Sequence, residues 1–271
     1  EGFVRSASKQ RWLEIHGYAH WAEFYTDYGV ALQKRFFGHF LKGEDTGWSR
    51  HPPVQLQIRH IDRFVERHEN EWPIARTQWT KFYLDPAQRG LAPVPAQGFA
   101  RIDYEALGQG VLFVTAPFQA ETEITGPVAA KLFLSWSTRD ADVFLGLHLF
   151  APDGTEVVFQ GSNDPHTGIG NGWLRASHRK LDQELSQPYK PYLTHDELQP
   201  LQPGEPVELD VEIWPTCIVV PQGYRIGLSI RGKDMEPNEP PIAIDGTHFR
   251  IRASVGPFRH NDPTDRPPAV F

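Results

Sequence analysis

The hydrophobic positions follow two periods, one after the other. Between Asp27 and Gly43 the segment DYGVALQKRFFGHFLKG sets Val30, Phe37 and Leu41 on one side, flanked by Leu32, Phe36 and Phe40, which predicts a helix. Lys42 complements the dipole of the last turn, and Gly43 can take the left-handed conformation that closes it. Ahead of this helix RWLEIHG, residues 11–17, is short, apolar-rich and bounded by a turn residue, which predicts a strand running into a loop. Residues 1–43 therefore read as strand, loop, helix. Beyond them helical periodicity does not return for any long stretch. Strand-length runs take over: PVQLQIR (53–59), TKFYL (80–84), VLFVT (111–115), AKLFLSWS (130–137), DVFLGLHLF (142–150), TEVVF (155–159), VELDVEIW (207–214), YRIGLSIRG (224–232) and HFRIRAS (248–254). In one of these Val207, Leu209, Val211 and Ile213 take one face and Glu208, Asp210 and Glu212 the other, the pattern of a sheet with one wet side. Turn chemistry in Ala151-Pro152-Asp153-Gly154 separates two of the runs. Many such strands predict a mainly β fold, a jelly-roll β-sandwich. Residues 161–204 stand apart as a long polar connection, expected to be functional or to contact a neighbouring domain.

With 271 residues, 39% of them hydrophobic, the chain can bury a sizeable core. No apolar run is long enough for a membrane span, so a membrane protein is not expected. The net charge of −7 carries no basic run, which removes the electrostatic footprint of a nucleic-acid partner. A single cysteine, Cys217, excludes an internal disulfide framework and a multi-thiolate metal site. It sits in the apolar string IWPTCIVV with no cation nearby, so it reads as a small buried hydrophobe. One free thiol fits a reducing, cytoplasmic setting.

Candidate chemistry is sparse. His16 and His20 flank the turn in EIHGYAHW, after a strand and before a helix, where an α/β-hydrolase carries its general base. The chain has 12 histidines, so placement alone does not separate that role from a structural one. No G-x-S-x-G nucleophile elbow is present. The nearest string, Gly227-Leu228-Ser229-Ile230-Arg231-Gly232, is off by one residue and lies inside an alternating strand, so Ser229 reads as a strand residue. Asp140, Asp142 and Asp153 lack the rest of a calcium loop, and the spacings of His166, His178 and His195 match no familiar ligand pattern. Gly168-Ile169-Gly170-Asn171-Gly172 resembles a phosphate cradle only in glycine content. Trp136, Trp173 and Trp214 suit a sugar-stacking platform or, more simply, a sandwich core. No cofactor and no metal is expected.

Several long strings together resemble the C-terminal half of the CocE/NonD hydrolases, whose jelly roll is the X-Pro dipeptidyl-peptidase C-terminal domain. RWLEIHGYAHWAEFYTDYGVALQKRFFGHFLKGEDTGW is similar to the last strand, histidine loop and helix of the family's α/β-hydrolase domain. PPVQLQIR, EITGPVAAKLFLSWSTRDADVFLGLHLFAPDG, GWLRASHRKLD, PLQPGEPVELDVEIWPTCIVVPQGYRIGLSIRG and GPFRHNDPTDRP are similar to its galactose-binding-like jelly roll. The resemblance implies a remnant of the catalytic domain over residues 1–50 and the jelly roll over 51–271. It also implies a serine hydrolase of esters or amides, X-prolyl dipeptides among them, with a triad in the chain order Ser, Asp, His. Aligning the loop puts the triad histidine on His20, with His16 as the alternative for the same role. The serine and the aspartate would lie ahead of Glu1, so this chain by itself would lack activity. Its partners would be its own α/β-hydrolase domain and a small ester or peptide substrate. A further β segment is expected after the last string, and without it an exposed sheet edge would favour self-association into a homo-oligomer. The competing expectation is a non-catalytic β-sandwich module that binds carbohydrate or peptide or serves a partner domain.

Overall fold

The computed structural model describes residues 1–17, 20–159, 167–234, 242–244 and 249–251; for His20, Trp21 and the last two stretches only the backbone is described. The expected strand over 248–254 is therefore described only at Phe249–Ile251. The fold is mainly β, as expected, and the chain divides into two units.

The first unit comprises residues 1–77 with 217–219. After a single turn, α1 (Gly2–Arg5), it runs through β1 (Leu13–Ile15), α2 (His20–Tyr25), α3 (Asp27–Lys42), β2 (Val54–Arg59) and β3 (Phe64–Glu69). The predicted helix forms and stops on Gly43 as read, and it gains an N-terminal cap that the sequence reading did not name. The Thr26 hydroxyl accepts the Gly29 N–H at 3.1 Å, and Gly43 closes the last turn at φ 68°. Across this helical crossover β1 pairs in parallel with β2, Leu13 opposite Val54 and Ile15 opposite Leu56, while β3 lies antiparallel on β2. Val54, Leu56 and Ile58 are buried with Ile74 and Val219, and Leu13, Ile15, Trp72 and Cys217 pack around them. Each such aliphatic side chain contributes about 1.5–3 kcal/mol by leaving water. Cys217, read as a buried hydrophobe with no cation nearby, is instead only partly buried, and Arg59 lies close enough for its charge to interact with the thiol.

One buried ion pair closes this unit. Glu69, at the end of β3, is 8% exposed; Arg67 Nε lies 2.7 Å from it, and Arg76 reaches it with both terminal nitrogens, at 2.7 and 2.5 Å. The hydrogen bonds from Arg76, with Arg67 beside them, hold the Glu69 carboxyl below its ordinary range against the opposing effect of burial. A carboxylate depressed in the folded state stabilises above its unfolded range, and that contribution disappears as pH falls through the folded value. Stability measured by urea unfolding is expected to drop as pH falls from about 5 towards 3, with a flatter profile in Glu69→Gln. A mutant profile as steep as the wild type would assign the acid sensitivity elsewhere.

The second unit comprises residues 78–216 and 220 onward. It contains β4 (Tyr83–Asp85), β5 (Gly90–Ala92), β6 (Val111–Thr115), β7 (Thr122–Leu134), β8 (Asp142–Phe150), β9 (Glu156–Val157), β10 (Gly170–Arg175), most of β11 (Val207–Val220) and β12 (Arg225–Arg231). Its strands run in the order β11-β10-β8-β12-β6-β5-β4, with β7 paired to β11 and β9 to β8. Among the described residues β13 (Ile242–Ile244) and β14 (Phe249–Ile251) pair antiparallel with each other. β8 lies between β10 and β12 and is buried on both faces from Asp142 to Leu149, which explains its almost continuous apolar string. β11 keeps the predicted alternation over its first half. Leu209, Val211 and Ile213 are buried, while on the opposite face Lys131 of β7 bridges Glu208 and Asp210. The strand then continues past the expected end, through Pro215 to Val220.

β10 lies inside the stretch read as a long polar connection, and it corrects that reading. Gly170-Asn171-Gly172 carries no alternation, yet Gly170–Arg175 pairs residue by residue with Leu147–Asp142 of β8. A Cβ on Gly172 would stand 2.3 Å from the Glu212 carbonyl oxygen, so glycine is what lets β10 and β11 approach. Among the described residues no helix is long and apolar enough to cross a membrane.

Candidate functional site

The loop that carries His16 and His20 is built by β1, α2 and α3. His16 follows Ile15, the last residue of β1, and His20 is the first residue of α2. The loop is tied to β2 by the Gly17 N–H, which donates to Gln57 Oε1 at 3.0 Å. His16 Nδ1 is buried, and among the described residues no hydrogen-bond partner reaches it. The joint between α2 and α3 depends on Gly29, because a Cβ there would stand 2.1 Å from the Glu23 carbonyl oxygen. Glycine thereby fixes the angle at which α2 carries His20.

Carboxylates gather near this loop. Glu23 of α2 is buried, and one of its carboxylate oxygens has no hydrogen-bond partner among the described residues. Gln55 Nε2 donates to the Tyr28 hydroxyl and, at 3.2 Å, to Glu66 Oε2. Burial, reinforced by a hydrogen bond to Glu14 and by the charges of Glu14, Glu66 and Glu23, raises the Tyr28 phenol well above its ordinary range and keeps it protonated. Both helices also leave apolar side chains in solvent. Phe36 and Phe40 of α3 pack with Trp12 and Trp48 at ring-centroid distances of 4.8–6.5 Å. Val30, Phe37 and Leu41 are exposed, together with Phe24 and Tyr25 of α2.

A second constellation, in the other unit, was not foreseen from the sequence. His148 of β8 lies with Nε2 2.8 Å from Ser229 Oγ of β12 and Nδ1 2.6 Å from Glu156 Oε1 of β9. The order serine, imidazole, carboxylate is that of a hydrolase triad, but the surroundings are not. Ser229 is 3% exposed and sits in mid-strand between buried Leu228 and Ile230, so no acyl group can approach it. The end that meets solvent is Glu156, whose side chain is 38% exposed, and its hydrogen bond to His148 holds its carboxyl below the ordinary range. The chemistry this supports is polar satisfaction inside a sheet. Ser229 is the strand residue it was read to be.

The remaining nominees disperse. Asp140 accepts from the Ser177 hydroxyl at 2.8 Å, Asp142 pairs with Arg175 at 2.8 Å, and Asp153 caps a turn at Thr155. Among the described residues no cluster of three or more potential metal ligands forms. Gly170 and Gly172 belong to β10 and make no phosphate cradle. Trp136 is buried, whereas Trp173 and the exposed Trp214 lie 5.2 Å apart. His166 lies outside the described residues. His178 and His195, far apart in sequence, are brought into contact.

Residues 46–248 match the X-Pro dipeptidyl-peptidase C-terminal non-catalytic domain. A CocE/NonD family hydrolase from Staphylococcus aureus superposes with a TM-score of 0.85 at 26% identity, over 99% of this chain and 47% of that one. An α-amino acid ester hydrolase matches in fold, with a TM-score of 0.60 at 16% identity over 92% of this chain and 42% of that one. In sequence the chain is similar to cocaine esterase of a Rhodococcus species, 24% identical over 74% of this chain and 37% of that protein. It is also 28% identical to a protein of Mycobacterium bovis named as a serine esterase, again over 37% of that protein's length. The chain thus spans little more than a third of the length of these curated relatives.

Proposed function

The chain belongs to the family of X-Pro dipeptidyl-peptidase C-terminal non-catalytic domains, and from that premise we propose that it serves as the C-terminal part of a serine hydrolase acting on ester or amide bonds. In this reading a longer protein supplies the serine and the aspartate, and the histidine loop of this chain supplies the general acid and base. Residues 1–50 are then the last strand, histidine loop and helix of the α/β-hydrolase domain, and the jelly roll begins at 51.

The observation that carries the reading is the apolar face of α2 and α3. Phe24, Tyr25, Val30, Phe37 and Leu41, on the two helices that follow the histidine loop, are all exposed, with Leu41 at 76% and Tyr25 at 77%. Large apolar groups grouped in this way mark a surface that another domain covers. The parallel β1-helix-β2 crossover is a unit of α/β architecture and supports an α/β-hydrolase origin for β1, α2 and α3, although its second strand, β2, lies beyond residue 50. The single thiol, Cys217, fits a reducing compartment.

Hydrolysis of p-nitrophenyl esters tests the proposal. The full-length protein is expected to turn over the ester, and the 271-residue chain alone to show no more than a denatured control. A full-length protein without turnover on ester or amide substrates removes the hydrolase reading. It would favour the alternative, a module that binds carbohydrate or peptide, for which the exposed Trp214 beside Trp173 is the supporting feature.

A further inference from the structure

We propose that His178 and His195 form a two-histidine site for a divalent transition-metal ion of the zinc, copper and nickel group. His178 ends a short 3-10 turn, Ala176–His178, directly after β10, and His195 lies at the end of a loop whose two sides are bridged from Lys180–Leu181 to Leu193–Thr194. Their Nδ1 atoms stand 3.2 Å apart, with ring centroids at 5.3 Å. Two imidazole nitrogens bound to one metal at about 2.0–2.1 Å are separated by about 2.9 Å at a right angle and about 3.4 Å at the tetrahedral angle. The observed spacing falls between these limits, and imidazole is a preferred ligand for this group of ions.

The pair is held in place before any ion arrives. Beneath it Leu181 bridges to Leu193, and the Thr194 N–H donates to the Lys180 carbonyl at 3.1 Å. Arg179, next to His178, donates to the carbonyls of Ala176 and Gln199. Lys180 is engaged by Asp196 and Glu197, at 3.2 and 3.0 Å. His195 has φ 53°, a left-handed conformation that costs a residue with a Cβ and here turns its ring towards His178.

Without metal the contact is a hydrogen bond, one ring donating through Nδ1 and the other accepting. To bind, the donating ring carries its proton on Nε2 instead, so that both Nδ1 lone pairs meet the ion; a neutral pair releases no net proton. Among the described residues no third protein ligand joins the pair. A metal held here would clamp the end of β10 to the far side of the loop.

The test uses the tag-free chain and zinc chloride in calorimetry, with copper(II) in electron paramagnetic resonance. One saturable zinc equivalent is expected, and bound copper should show hyperfine coupling to two nitrogens. His178→Asn and His195→Asn should each weaken zinc binding at least about tenfold, and His60→Asn should leave it within about twofold. Zinc in excess should raise the melting temperature of the wild type and of neither site variant. Absence of saturable binding, or zinc affinity unchanged in His195→Asn with its fold intact by circular dichroism, would overturn the site and leave a plain histidine–histidine hydrogen bond.

Discussion

Replacing His20 by alanine in the full-length protein is expected to lower kcat/KM for a p-nitrophenyl ester by at least about a thousandfold, because the nucleophilic serine loses the base that takes its proton and returns it to the leaving group. The loss should fall on kcat, since the imidazole acts on the reacting atoms and does not hold the ester in place. His16→Ala is the paired measurement. Its Nδ1, buried without a partner among the described residues, has the character of a ring nitrogen placed to meet a carboxylate, whereas the alignment of the loop favours His20. A thousandfold loss confined to His20→Ala assigns the role there, and the same loss confined to His16→Ala moves it four residues back. Near wild-type turnover in both variants removes this loop from catalysis.

The second large effect concerns stability and not turnover. His148→Ala is expected to cost about 3–4 kcal/mol by urea unfolding, because it opens a cavity in the middle of the sheet and leaves a buried hydroxyl unpaired. Ser229→Ala removes only the hydroxyl and should cost about 1 kcal/mol. The double variant should be less destabilised than the sum of the two, because both single changes break the same 2.8 Å contact. Ester turnover by folded full-length Ser229→Ala should equal that of the wild type. A loss of turnover there would mean that the serine of this sheet reacts, against its burial. A cost below about 1 kcal/mol for His148→Ala would show that the network contributes little to the sheet.

The fold was legible wherever a segment's neighbours merely repeat its own pattern. Val111–Thr115 and Asp142–Phe150 are strands with the predicted bounds, and the helix from Asp27 ends on Gly43 as read, because these signals are local: alternation, an apolar run, a cap. β10 was not legible. Gly170, Asn171 and Gly172 read as loop in isolation, and they form a strand because β8 and β11 offer unpaired edges on either side. The helix shows the same limit in its faces. Val30, Phe37 and Leu41 formed the clearest apolar stripe in the sequence, yet the ring contacts to Trp12 come from Phe36 and Phe40, and the stripe, like Phe40 itself, stays exposed. Periodicity gives the existence of an apolar face but not what covers it.

Polar sites divide in the same manner. The histidine loop was marked by its position after a strand and before a helix, which is a one-dimensional feature. Sequence position did not show that His148 meets Ser229 and Glu156, or that His178 meets His195, although Ser229 and those two histidines were singled out; the contacting members are 81 and 17 residues apart. A side-chain hydrogen bond across strands depends on register, and register is a property of pairing. What the sequence by itself determined is the class of each local element, the mainly β character and the family to which the chain belongs, since these rest on period, caps and ordered strings. Only the tertiary structure decided which polar groups meet and which apolar faces remain uncovered, because both depend on distances between segments that the chain brings together by folding.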